Sequence, residues 1–128
     1  MPIGEPKHRI LVVEDEAIIS MLLEDMVLDA GGEIVGPVAK FDIALAVARE
    51  AEFTVAVLDV NLNGTLSYPI ADVILERGIP VIFATGYGVD GLLDRFRDCL
   101  TLQKPFSQKD FAEAIAASCG FSIAGEEG

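Results

Sequence analysis

Three acids in a row, Glu14-Asp15-Glu16, follow directly on the apolar run Ile10-Leu11-Val12-Val13. One aspartate, Asp59, ends a second apolar run, Val55-Ala56-Val57-Leu58, and a hydroxyl, Thr85, closes a third. Lys104 follows a weaker one. Carboxylates crowded into one small cleft repel, because each disfavours ionisation of the next and desolvation adds to the cost. A hard divalent cation relieves that repulsion, and carboxylate oxygens with a backbone carbonyl and waters suit Mg²⁺. Such a cation can also hold a phosphoryl group. An aspartate can then act as a nucleophile toward phosphorus and form an acyl phosphate. Transfer of this kind depends on positioning and charge neutralisation more than on covalent machinery. Lys104 offers a second counter-charge, and the Thr85 hydroxyl offers a hydrogen bond to a phosphoryl oxygen.

These residues meet only if the elements bring them to one edge. Residues 9–13, 33–38, 55–58, 81–84 and 100–103 read as strands; the first, third and fourth are apolar on consecutive positions, which suits burial on both faces. Between them the spacing turns helical. Ile19, Leu22, Leu23, Met26 and Val27 form one face, stopped by Gly31-Gly32. Phe41, Ala44, Leu45 and Ala48 form a second. Residues 61–67 read as a loop leading to Pro69, which suits the first turn of a helix carrying Ile70, Val73 and Ile74 and ended by Gly78. After Thr85, Gly86, Gly88 and Gly91 loosen the chain, so any helix over Leu92, Leu93 and Phe96 is short. Ser107-x-x-Asp110 resembles a capping box opening a last helix, Gln108–Cys119. Strands alternating with amphipathic helices imply a parallel, doubly wound α/β sheet. Its site lies outside the carboxyl ends of the strands, where strand order reverses.

The 128 residues fit one domain, with a net charge of −12 from 9 basic and 21 acidic residues. An apolar fraction of 52% excludes a disordered chain. The acidity argues against nucleic acid and anionic membranes as partners, and no apolar run reaches the length of a membrane span. No hydrophobic stretch of signal-peptide type opens the sequence, so a cytoplasmic location is the default expectation. Cys99 and Cys119 lack ligand spacing and a nearby histidine, and are expected to pack in helical segments. Residues 1–8 read as a flexible arm, 9–121 as the domain and 122–128 as an acidic tail. Gly86-Tyr87-Gly88-Val89-Asp90-Gly91 matches a dinucleotide fingerprint in letters only, since that motif belongs after the first strand.

The segments Val12-Val13-Glu14-Asp15-Glu16, Val57-Leu58-Asp59-Val60-Asn61, Ala84-Thr85-Gly86 and Lys104-Pro105-Phe106 resemble, in order and interval, the four signatures of the response-regulator receiver domain. The resemblance covers about residues 9–121. It implies a flavodoxin-like (βα)5 fold with strand order 2-1-3-4-5. It implies Asp59 as phospho-acceptor, with Glu14, Asp15, Asp59 and the backbone carbonyl of Asn61 around Mg²⁺ or Mn²⁺. Glu14 would act there through metal-bound water. Thr85 and Lys104 would contact the phosphoryl group, and Pro105 would follow a cis peptide. The implied donor is a sensor histidine kinase or phosphotransfer protein, and the output is binding of a downstream protein or draining of phosphate. Such a stand-alone receiver is not an enzyme beyond its own phosphorylation and dephosphorylation.

Two departures stand out. The position three before the lysine, aromatic in most receivers, is Thr101. Phe83-Ala84-Thr85-Gly86-Tyr87 is similar to the Phe-Ala-Thr-Gly (FATGUY) subclass, which lacks that aromatic and is associated with kinases of the HWE type; Tyr87 is then the expected switch residue. Two other readings compete. A haloacid-dehalogenase-like phosphatase also uses a strand-end aspartate, but wants a second acid where Asn61 stands. A phosphorylation-independent scaffold would have no need of Asp15, Asp59, Thr85 and Lys104 together.

Overall fold

The computed structural model describes residues 8–86 and 92–119. Five parallel strands form the main sheet: β1 (Arg9–Val13), β2 (Glu33–Val38), β3 (Val55–Asp59), β6 (Val81–Thr85) and β7 (Leu100–Gln103). They lie in the order β2-β1-β3-β6-β7. Counting only these long strands, that is 2-1-3-4-5, the order expected from the resemblance. β4 (Asn61–Leu62) and β5 (Thr65–Leu66) pair antiparallel as a separate hairpin.

Helices cover both faces, because the consecutive apolar residues of β1, β3 and β6 point alternately to each side. Leu11, Val13, Ala56, Leu58, Val81 and Phe83 pack on one side, against α2 (Phe41–Glu50) and α3 (Tyr68–Glu76). Ile10, Val12, Val55, Val57, Ile82, Ala84 and Leu102 pack on the other, against α1 (Ala17–Asp29) and α4 (Gln108–Cys119). The box at the start of α4 is reciprocal: the Asp110 amide donates to Ser107 Oγ at 3.0 Å and the Ser107 amide to Asp110 Oδ2 at 3.4 Å. No helix among the described residues is long and apolar enough to cross a membrane.

The structure differs from the sequence expectation in three places. Residues 61–67 are not a plain loop. Asn63 and Gly64 take positive φ, 54° and 95°, the backbone of a tight hairpin turn between β4 and β5. Among the described residues the fourth connection holds a 3-10 turn, Asp94–Phe96, which agrees with the short helix expected there. Cys99 sits half-buried in the bend entering β7 rather than in a helix. The β1–β2 register slips between Leu11 and Val13 because β2 bulges at Gly36-Pro37. A Cβ at Gly36 would meet Val38 N at 2.9 Å and Val12 O at 3.0 Å, so only glycine fits that φ of 98°. Of the expected arm, His8 alone is described; its carbonyl accepts the Glu33 amide at 2.8 Å, so the pairing of β1 with β2 reaches back to it. The expected tail, 122–128, lies outside the described residues.

Candidate functional site

Parallel pairing sets the site. Asp59 at the end of β3 stands opposite Ala84 of β6, and Thr85 stands opposite Gln103 of β7. Glu14-Asp15 leave β1, the other neighbour of β3. The carboxyl ends of four adjacent segments therefore share one rim. The backbone closes it: the Lys104 amide donates to Thr85 O at 2.8 Å and the Glu14 amide to Val38 O at 3.0 Å.

Glu14, Asp15 and Asp59 each offer a carboxylate oxygen, and these three atoms lie within 4.8 Å of one another. Lys104 Nζ lies 3.1 Å from Glu14 Oε1 and 3.4 Å from Asp59 Oδ2. Glu14 also accepts the Glu16 amide on Oε2 at 3.1 Å. Its carbonyl accepts the Ser20 hydroxyl, which ties the acid to the first turn of α1. Glu14 is only 1% exposed. A run of three acids suggests a solvated helix start, and the structure sorts them otherwise: Glu14 buried, Asp15 half-buried, Glu16 exposed.

The electrostatics follow from that burial. Desolvation, with the charge of Asp59 second, pushes the Glu14 carboxyl up to about 7, against the opposing pull of the Glu16 amide and Lys104. Desolvation also raises Asp59 above its ordinary value, although Lys104 and the Asn61 amide pull it down. Burial works to lower Lys104, but the charges of Asp59 and Glu14 outweigh it and raise its pKa. One lysine does not neutralise three carboxylates. The donor set is all oxygen, crowded and short of positive charge, and it fits a hard divalent cation such as Mg²⁺.

The remaining residues separate. Thr85 is 4% exposed at the end of β6. The Lys104–Pro105 peptide is cis. Asn61 begins the hairpin; its amide donates to Asp59 Oδ1 at 3.3 Å and its side-chain oxygen accepts the Gly64 amide at 2.7 Å. Thr101 is not at the rim. It lies half-buried in β7 opposite Phe83. Tyr87 lies outside the described residues.

One cluster escaped sequence reasoning. Tyr68, the first residue of α3, stacks on Phe96 at 4.9 Å and 10° and meets Phe83 edge-on at 5.9 Å and 65°. Phe83 meets Phe96 edge-on at 5.3 Å and 74°. The signal available was an aromatic beside the helix-starting proline, Tyr68-Pro69, but its partners are distant in sequence.

No protein-family model matches the chain. Among curated proteins it is similar to the transcriptional regulatory protein PdtaR of Mycobacterium tuberculosis (strain H37Rv). The two are 32% identical over 112 residues, which is 84% of this chain and 55% of the relative. The chain thus spans about half the length of that curated relative. Among solved structures it is similar to SdrG from Sphingomonas melonis Fr1, with 43% identity and a TM-score of 0.78 over 87% of this chain and 95% of that one. It is also similar to the receiver domain of the PhyR response regulator from Erythrobacter litoralis. There the identity is 28% and the TM-score 0.80 over 96% and 98% of the two chains.

Proposed function

The chain belongs to the response-regulator receiver family, and from that premise we propose that Asp59 accepts a phosphoryl group from a histidine kinase or phosphotransfer protein. The observation that carries this reading is the contact set of Asp59. Its Oδ2 lies 3.4 Å from Lys104 Nζ, and it shares its pocket with two further carboxylates. A carboxylate oxygen of Asp59 attacks the phosphorus of a phosphohistidine; the O–P bond forms as the P–N bond breaks, and the imidazole leaves with its electron pair. Glu14, Asp15, Asp59 and the backbone carbonyl of Asn61 would hold a divalent cation, Mg²⁺ or Mn²⁺, which would supply the charge neutralisation that two anions need to approach. Lys104 holds a positive charge beside the acceptor oxygen throughout. Thr85 donates its hydroxyl to a phosphoryl oxygen. The chain catalyses this transfer and the later hydrolysis of its own acyl phosphate, and no other turnover. Asn61, not an acid, follows Asp59 by two positions, so the site lacks the second acid a haloacid-dehalogenase-like phosphatase would use.

The donor must approach past α1. Ile18, Met21 and Leu22 are exposed there. An apolar cavity of about 330 Å³, lined by α1 and Lys104-Pro105-Phe106, adjoins the rim. A phosphodonor protein has apolar surface to rest on within reach of Asp59. The motif Phe83-Ala84-Thr85-Gly86-Tyr87 supports the FATGUY reading and, with it, a kinase of the HWE type. Tyr87 then carries the switch that Thr101 cannot, and the output is binding of a downstream protein or draining of phosphate from the kinase.

Intact-mass spectrometry tests the acceptor. Wild type incubated with acetyl phosphate gains one phosphoryl group with Mg²⁺ and none with chelator. Asp59→Asn gains none. An adduct on folded Asp59→Asn, or one indifferent to Mg²⁺, would overturn the assignment.

A further inference from the structure

The described part of the connection from β6 to β7 is built unlike the other connections. β1, β2 and the hairpin after β3 each lead into a helix, of 13, 10 and 9 residues in turn. The described part of the β6–β7 connection holds one 3-10 turn of 3 residues. A turn that short has little hydrogen bonding of its own. It is held by contacts to α3. Phe96 stacks on Tyr68, the Leu93 amide donates to Tyr68 Oη at 3.3 Å, and Arg95 donates to Asp72 Oδ2 at 2.9 Å.

The same end of α3 is tied to the rim. The Ser67 amide donates to Val60 O at 2.8 Å, and the Asn61 amide donates to Asp59 Oδ1 at 3.3 Å. Leu62 is 2% exposed and fixes the hairpin between these two bonds in the core. Tyr68 follows Ser67 directly. It therefore sits where the hairpin leaving Asp59 becomes the helix that carries residues 92–99. Thr101 offers no such link, being a short β-branched side chain with a stiff χ1.

We propose that Tyr68 couples the Asp59 rim to residues 92–99, so that the state of the acceptor carboxylate is read out in that segment through the start of α3. This rests on the reading of Asp59 as acceptor and adds the route by which its state leaves the site. A phosphoryl group changes the charge and shape of the Asp59 oxygen that the Asn61 amide meets. The hairpin re-seats, and Tyr68 carries the shift to Leu93 through its hydroxyl and to Phe96 through its ring. Tyr68 touches no reacting atom and is a positioning residue.

The test compares wild type, Tyr68→Phe and Tyr68→Leu by backbone amide NMR before and after acetyl phosphate with Mg²⁺, with intact mass read on the same samples. Before phosphorylation, Tyr68→Phe speeds hydrogen exchange at the Leu93 amide about fivefold, the factor one ordinary hydrogen bond represents. After phosphorylation, all three proteins carry the adduct and shift at Asn61 and Lys104. The shifts at residues 92–99 are full in wild type, reduced in Tyr68→Phe and lost in Tyr68→Leu. Full shifts at residues 92–99 in an adduct-bearing Tyr68→Phe overturn the coupling and leave Asp59 in place. A wild type without adduct overturns both. Should Tyr68→Leu fail to fold, Tyr68→Phe, which keeps the ring stack, decides alone.

Discussion

Two clusters lie two residues apart along β6 and are held by opposite physics. At Thr85 the strand opens onto the rim of Glu14, Asp15, Asp59 and Lys104. At Phe83 it meets Tyr68 and Phe96. Each cluster gathers side chains from separate segments; the aromatic one is buried throughout, whereas the acidic one buries Glu14 and leaves Asp15, Asp59 and Lys104 half-buried. The aromatic one is satisfied: its rings are edge-to-face or offset in the 4.9–5.9 Å range, where aromatic attraction adds to burial. The acidic one is not, since one lysine faces three carboxylates and Glu14 holds a proton up to about pH 7. The comparison teaches that the fold concentrates its unmet charge at one place, while the layer beneath leaves a single neutral group, the buried Ser67 hydroxyl beside Tyr68, without a partner among the described residues.

The largest expected effect breaks the satisfied cluster. Phe96→Ala removes a ring that is 1% exposed and costs about 3–5 kcal/mol. Urea unfolding will show most of that loss at pH 5 and pH 8 alike and with or without Mg²⁺, because burial of the ring dominates it. The part that varies with either measures the link from Tyr68 to the rim, and a loss that varies in full would mean the ring is held by the rim and not by its own packing.

The next effect belongs to the rim. Glu14 titrates near its ordinary 4.5 when unfolded and near 7 when folded. Between those values the folded state holds a proton the unfolded state has released. Stability is therefore full below pH 4.5 and falls as pH rises through 7. Asp59 shifts in the same sense. Lys104, raised, stays charged over this window and opposes nothing. Metal-free protein will lose on the order of 2 kcal/mol between pH 4 and pH 8. Mg²⁺ will restore it by binding the folded state alone, so thermal melts with and without chelator should diverge as pH rises.

The smallest effect sharpens the comparison. Asp59→Asn removes one of the repelling charges and leaves Lys104 paired with Glu14. In chelator at pH 8 it will raise stability by about 1 kcal/mol, and it will lose most of the Mg²⁺ shift. A destabilised Asp59→Asn would show that the Lys104–Asp59 attraction outweighs the crowding.

Much of the rim was legible because a strand end is a local pattern. An acid, a hydroxyl or a lysine closing an apolar run needs no distant partner to be noticed, and the parallel sheet then collects such residues at one edge. The aromatic cluster was not legible, because Tyr68, Phe83 and Phe96 read separately as a helix start, a strand residue and a short amphipathic turn. Their meeting depends on how α3 lies over β6. Asn63-Gly64 carried a hairpin signal that the surrounding polar residues masked. Burial of Glu14 could not be read from a run of acids, since its partners, the Val38 carbonyl for its amide and Lys104 for its carboxylate, come from segments distant in sequence.

The break in β2 has a consequence for the sheet's margins. Only residues 33–35 run regularly before Gly36-Pro37 interrupts the strand, and Pro37 has no N–H to offer. β7, the opposite margin, has neither bulge nor proline among its residues Leu100–Gln103. Among the described residues, nothing within β7 itself obstructs strand-to-strand joining of two sheets, whereas Gly36-Pro37 obstructs it at β2. Two copies joined β7 to β7 would face outward with their broken margins, so that mode of association closes at a pair instead of growing into a fibre.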